Sequence, residues 1–283
     1  MPEMISWQAP DTFPRLLFQH ARLRGEQPAM REKDLGIWQC WTWSEVAAEV
    51  RAMACGLAEM GFRRGENLAI IGENRPRMYM MMSAVQCLGG VPLPLYQDAV
   101  ADEMLFVLRD AEIRFAFVED QEQVDKLLEI RDQLPQFEHL LYDDPRGMRH
   151  YTQPFLHDIR ELMAMGRIHD RNHPDLLQTE VAAGSTADVS VMLYTSGTTG
   201  RPKGVCLTHH AFISAARGGI EFDRLRADED ILSYLPMAWV GDHLFSFAQA
   251  MVSGFTINCP ESAETVMTDL REIGPTYYFA PPR

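Results

Sequence analysis

The chain has 283 residues, of which 46% are hydrophobic and 23% charged, and its 40 acidic against 26 basic residues leave a net charge of −14. That composition argues against bulk disorder, and the acidic balance argues against nucleic acid as a partner. No apolar run reaches the roughly 18 residues a membrane span needs, since residues 78–95 are broken by Gln86, Gly89, Gly90, Pro92 and Pro94. Met1-Pro2-Glu3-Met4 lacks a basic region followed by an apolar stretch, so the expectation is a cytoplasmic protein without a secretory signal. Five scattered cysteines (Cys40, Cys55, Cys87, Cys206 and Cys259) form no C-x-x-C pair, which favours reduced thiols over a disulfide framework or a zinc site.

Helices and strands alternate along the chain. Residues 13–23 carry apolar side chains at a helical period, with Asp11 or Thr12 as cap. Thr42-Trp43-Ser44-Glu45 has capping-box form and opens a helix that stops at Gly61. Residues 67–71 read as a strand, 75–88 as a buried helix ended by Gly89-Gly90, and 91–95 as a strand. A helix over 102–110, a strand over 115–118, a helix over 121–134 closed by Pro135 and a strand over 140–142 follow. This order predicts an α/β fold with mostly parallel sheets flanked by helices.

Residues 143–187 break the rhythm with Pro145, Gly147, Pro154, Gly166 and Pro174, and read as a surface excursion with one helix over 155–165. The expected division is therefore a first α/β subdomain over 1–187, including that excursion, and the start of a second over 188–283. His139, His150, His157, His169 and His173 have no metal-ligand spacing and read as surface histidines; the 17 methionines read as core filler.

The chemistry concentrates after residues 189–194, a β-rich run expected to be an inner strand. It leads into Thr195-Ser196-Gly197-Thr198-Thr199-Gly200-Arg201-Pro202-Lys203-Gly204-Val205. Glycines let backbone N–H groups approach a polyphosphate, hydroxyls donate to its oxygens, and lysine supplies a point charge. The pattern is not a Walker A loop, because Pro202 stands at the second glycine position. Tyr194 through Val205 resembles the signature loop of the adenylate-forming superfamily. Thr42–Glu45, Gly72-Glu73-Asn74-Arg75-Pro76, Gly89–Leu95 and Leu207-Thr208-His209 are similar to other segments of that family. Residues 274–283 resemble a segment of its long-chain fatty acyl-CoA synthetases.

The resemblance implies activation of a carboxylic acid, most simply a fatty acid, by MgATP to an acyl-adenylate, then transfer to coenzyme A. Lys203 would neutralise the departing pyrophosphate; Thr195, Ser196, Thr198 and Thr199 would donate to it, with Gly197 and Gly200 shaping the loop. Leu235-Pro236-Met237-Ala238-Trp239-Val240-Gly241-Asp242-His243 resembles the motif that faces the acyl pocket, which makes Trp239 and His243 substrate-binding candidates. Trp239 stands where the family usually has histidine, and both residues also read as packing groups. The family's adenine contacts, magnesium carboxylate and adenylation lysine have no counterpart here. The expectation is thus the N-terminal portion of the large domain, inactive alone and with its C-terminal domain absent. Uncovered apolar surface would favour self-association, and a fatty substrate peripheral membrane contact. The alternatives are a non-catalytic nucleotide-binding module and an adenylation domain that loads a carrier protein.

Overall fold

The computed structural model describes residues 11–195 and 201–280. Helix α1 (Phe13–Arg24) buries Phe13, Leu16, Leu17 and His20, the stripe its spacing predicts. Strands β1 (Pro28–Asp34) and β2 (Ile37–Thr42), to which the sequence reading assigns no element, form a hairpin. Leu35 and Gly36, both at positive φ, make its two-residue turn. Helix α2 (Trp43–Glu59) begins at the expected capping box: Thr42 Oγ1 accepts from the Glu45 N–H, and the Glu45 carboxylate accepts from the Thr42 N–H at 2.8 Å. It ends before Gly61, whose φ of +85° a side chain would resist.

The next elements follow the predicted alternation: β3 (Asn67–Ile71), α3 (Pro76–Cys87), β4 (Val91–Leu95), α4 (Ala101–Asp110), β5 (Phe115–Val118), α5 (Gln121–Ile130) and β6 (His139–Tyr142). Helix α5 tightens to a 3-10 turn over Arg131–Gln133 before Pro135. Alternate strand residues sort to opposite faces: Leu68, Ile70, Phe115 and Phe117 join one core cluster, while Ala69, Ile71, Ala116 and Val118 join another.

Residues 143–187 differ from the expected excursion. Strand β7 (Leu156–Asp158) completes a parallel five-stranded sheet of order β4-β3-β5-β6-β7, occupying residues expected to be helical. Asp158 then caps α6 (Ile159–Asn172), accepting from the Arg160 N–H, and α7 (Leu176–Ala183) follows. Ile159, Leu162, Met163, Leu177 and Val181 lie in the same core as α2. On α6 a narrow buried stripe among charged residues explains the weak sequence signal.

Strand β8 (Val189–Thr195) pairs antiparallel with β9 (Lys203–Thr208), forming a two-stranded sheet among the described residues where an inner strand of a parallel block was expected. It runs beside β4 without joining its ladder. The Val91 N–H points inward to Glu66 O, so the alternate positions Pro92 and Pro94 face β8 and have no N–H to give. Helix α8 (His209–Asp223), capped by Thr208, leads to β10 (Asp230–Leu232). Then α9 (Val240–Asp242), a π-helical turn (His243–Ala248) and α10 (Gln249–Ser253) form one helical run, followed by β11 (Thr256–Cys259) and α11 (Val266–Ile273). Strands β10 and β11 run parallel to β1 in a sheet of order β10-β11-β1-β2, so the chain's first strands are completed by its last.

Candidate active site

Thr195 ends β8 and Lys203 begins β9, and the two are register partners. They bracket the glycine- and hydroxyl-rich stretch; Ser196, Gly197, Thr198, Thr199 and Gly200 lie outside the described residues. Both bracketing residues are exposed. Near this end of the hairpin, Tyr194 donates its hydroxyl hydrogen to Asp110 Oδ2 at 2.6 Å, which ties β8 to the last residue of α4. At the other end, Gln86 Nε2 donates to Ser190 O at 2.8 Å in the core.

A cavity of about 320 Å³ opens where four parallel strands end at their carboxyl termini. Gly72 follows β3, Tyr96 follows β4, Ser233 follows β10 and Pro260 follows β11; all four line it. Carboxyl ends of parallel strands are where open α/β sheets leave room for ligands, because the connecting loops diverge there. Arg75 clamps the two sheets together beside this opening. Its Nε donates to Glu119 Oε1 at 2.8 Å, and its two terminal nitrogens to Pro260 O at 2.8 Å and Glu261 O at 2.9 Å. Glu32 faces the same guanidinium, 3.7 Å from Nε. Burial pushes the Glu32 carboxyl up to about 7, against the pull of Arg75.

At the cavity wall lies a buried polar network. The Asp242 carboxylate accepts from the Tyr79 hydroxyl at 2.8 Å and from Ser233 Oγ at 3.0 Å. The Asn74 amide nitrogen lies 3.0 Å from Asp242 Oδ1 and 2.9 Å from Leu235 O. Burial raises the Asp242 carboxyl to about 6, against the downward pull of the hydrogen bonds from Tyr79, Ser246, Ser233 and Asn74. The network stitches the segment after β3 to the one after β10. Sequence reading quoted Asn74 and Asp242 inside motifs but assigned neither a role, and it missed Tyr79 and Ser233. An aspartate after a glycine reads as a surface turn, so burial was the missing signal.

Trp239 caps α9 from its N-terminal side, half-buried, with its ring laid over the Gly241 Cα. Phe279 lies 6.5 Å from that ring and stacks on Phe245 at 3.8 Å. His243 is 1% exposed and enclosed by Phe13, Phe212 and Phe247. Neither of its ring nitrogens has a hydrogen-bond partner among the described residues, and burial pulls its pKa down to about 3.

The family model for AMP-binding enzymes matches residues 17–283. The chain belongs to that family. Among curated relatives, the long-chain-fatty-acid–CoA ligase FadD15 of Mycobacterium bovis is 27% identical over 275 residues, covering 96% of this chain and 44% of that protein. The long-chain-fatty-acid–CoA ligase ACSBG2 of Xenopus laevis is 26% identical over 283 residues, covering 97% of this chain and 37% of the relative. The chain therefore spans less than half the length of these relatives. Among solved structures, the anthranilate CoA ligase AuaEII in complex with anthranoyl-AMP superposes with a TM-score of 0.82 at 19% identity, covering 95% of this chain and 49% of that one. The N-terminal domain of FACL13 from Mycobacterium tuberculosis gives 0.71 at 23% identity, over 92% and 60%. At those identities the superpositions establish a shared fold. Among the described residues of this AMP-binding chain, no helix is long and apolar enough to cross a membrane. No group of three or more His, Cys, Asp or Glu that could hold a metal occurs among them either.

Proposed function

We propose that the chain is the nucleotide-engaging part of an acid–thiol ligase acting on a fatty acid. A carboxylate oxygen attacks the α-phosphorus of ATP, the bond to the β-phosphate oxygen breaks, and pyrophosphate leaves. The thiol of coenzyme A then attacks the acyl carbon and expels AMP. The observation that carries this reading is the family match over residues 17–283 together with the intact run Tyr194 to Val205. Such chemistry rests on positioning and on neutralising charge at phosphorus. Lys203 is the cation we assign to the departing pyrophosphate, with Thr195, Ser196, Thr198 and Thr199 as donors and Gly197 and Gly200 as backbone approach points. Magnesium arrives with the triphosphate as its counter-ion. Trp239 is the aromatic residue we assign to the acyl group. His243, enclosed by phenylalanines, supports that wall from behind.

The test is fatty-acid-dependent exchange of labelled pyrophosphate into ATP, followed by thioester formation when coenzyme A is added. Exchange that requires the acid supports the reading, and its absence from a protein of the relatives' full length overturns it. The 283 residues match less than half of such a length, and assayed alone they are expected to exchange far more slowly.

A further inference from the structure

The cavity between the sheets has a wall whose hydrogen-bonding sense is set from below. Asp242 is 1% exposed, and its carboxylate accepts from Tyr79 OH and Ser233 Oγ. A carboxylate has no hydrogen to give, so each hydroxyl commits its single hydrogen to this cluster and offers Asn74 only lone pairs. The Leu235 carbonyl is a further acceptor on the same side. The Asn74 amide lies 2.6 Å from Ser233 Oγ, 2.9 Å from Tyr79 OH and Leu235 O, and 3.0 Å from Asp242 Oδ1. With Oδ1 turned toward these atoms, acceptor would face acceptor; the NH2 group must be there instead. Oδ1 is consequently directed away from the network. It accepts no hydrogen bond among the described residues and is not sealed from solvent, and Asn74 lines the cavity. Glu73 and Asp98, acceptors when ionised, line it as well.

We propose that this wall binds an uncharged group bearing N–H donors, with Asn74 Oδ1 as acceptor and Asp242 as the positioning residue that holds the amide in that sense. The inference rests on the ligase reading for its choice of ligands. Two co-substrates of that reaction carry such a group: the exocyclic amine of adenine, and the amide nitrogens in the pantetheine arm of coenzyme A. Phosphate and carboxylate ends would meet lone pairs and negative charge here, so they are accommodated elsewhere.

Met237 lines the same cavity and provides a reporter that needs no turnover. With 13C-methyl methionine, its resonance is assigned by its loss in Met237→Leu and followed while adenosine, pantetheine, pyrophosphate and octanoate are titrated separately. The expected result is a saturable shift with adenosine or pantetheine, and the probe that acts identifies the source. Asp242→Asn can donate back into the network and let Asn74 turn over, so the responding probe should bind about fivefold or more weakly, the worth of one buried hydrogen bond. No shift with either neutral probe overturns the proposal, as does an affinity within twofold of the parent in Asp242→Asn. If that variant fails to fold, the parent protein decides: pyrophosphate or octanoate binding at Met237 as tightly as the neutral probes overturns it. Binding without acid-dependent exchange would sink the ligase reading alone; exchange without a Met237 shift would sink only this inference.

Discussion

Gly166→Ala places a methyl group at the narrowest approach of α6 to α2. A Cβ at Gly166 would stand 2.6 Å from the Gly56 nitrogen and closer still to the Ala52 carbonyl oxygen. Across the same contact, a Cβ at Gly56 would meet Leu162 O at 2.5 Å. These are backbone atoms and cannot rotate aside, so the helices must separate and Leu162 and Met163 lose packing in the core. Alanine replacing glycine in a helix interior gains about 1 kcal/mol. Overpacking costs roughly 1–3 kcal/mol, and the upper end applies when the obstacle is backbone. The cost wins, with a net loss of about 1–2 kcal/mol. Gly218→Ala in α8 is the control: nothing lies within 4 Å of its would-be Cβ, so only the propensity gain of up to about 1 kcal/mol remains. Urea unfolding at a constant slope should move the midpoint down for Gly166→Ala and slightly up for Gly218→Ala. A Gly166→Ala midpoint at or above the parent's refutes the reasoning.

Lys203→Ala should lower the rate of acyl-adenylate formation by about one to two orders of magnitude, the worth of one charge-assisted contact. The Michaelis constant for ATP should change little; a rate within twofold of the parent's, measured by rapid quench, excludes the lysine as the pyrophosphate group. His243, held at about 3 against an ordinary 6.5, stays neutral in the folded chain while the unfolded chain takes up a proton below 6.5. Its contribution is therefore intact above that pH and falls as the pH drops, by about 2 kcal/mol at pH 5. His243→Leu should shrink the stability lost between pH 8 and 5 by that amount, and an unchanged loss in denaturant titrations would contradict it. Tyr79→Phe removes a donor from the buried Asp242 carboxylate and should cost about 1–3 kcal/mol; an unaltered thermal midpoint would show that the hydroxyl is not holding the carboxylate.

The elements legible in the sequence are those whose signals are local. The Thr42–Glu45 capping box, the Gly89-Gly90 stop and the apolar runs of β3, β4 and β5 carry their own boundaries. The β1–β2 hairpin was not legible, because Arg31, Glu32, Lys33 and Asp34 read as a solvated run. Lys33 is buried by pairing with Asp269, 236 residues away, and Arg31 reaches Asp230. Strand β7 has three residues and one helix directly behind it, too little for a period to show. A parallel partner for β8 was expected, yet β9 starts at Lys203, far sooner than the dozen or more residues a crossover needs. At the candidate site, Thr195 and Lys203 were named from composition and from the resemblance, and the hairpin pairs them in register. The Asp242 network was not legible, since its members at 74, 79, 233 and 242 are joined only by the approach of two sheets.

The sheet that places β1 between β2 and β11 also sets the order of events during synthesis. Arg31 and Asn258 are hydrogen-bonded neighbours separated by 227 residues, so at roughly 5–20 residues per second β1 waits on the order of ten to fifty seconds for its partner. During that interval the β1–β2 hairpin presents an open edge where β11 will pair, although Ala29 and Met30 can already pack against α1, α2 and α3. The five-stranded sheet, built from strands that emerge in one continuous stretch, can close long before. A nascent chain stalled after β7 would thus hold one finished sheet and one sticky edge. Chaperone demand should centre on that edge, and on charges such as Lys33 whose partners have not yet been made.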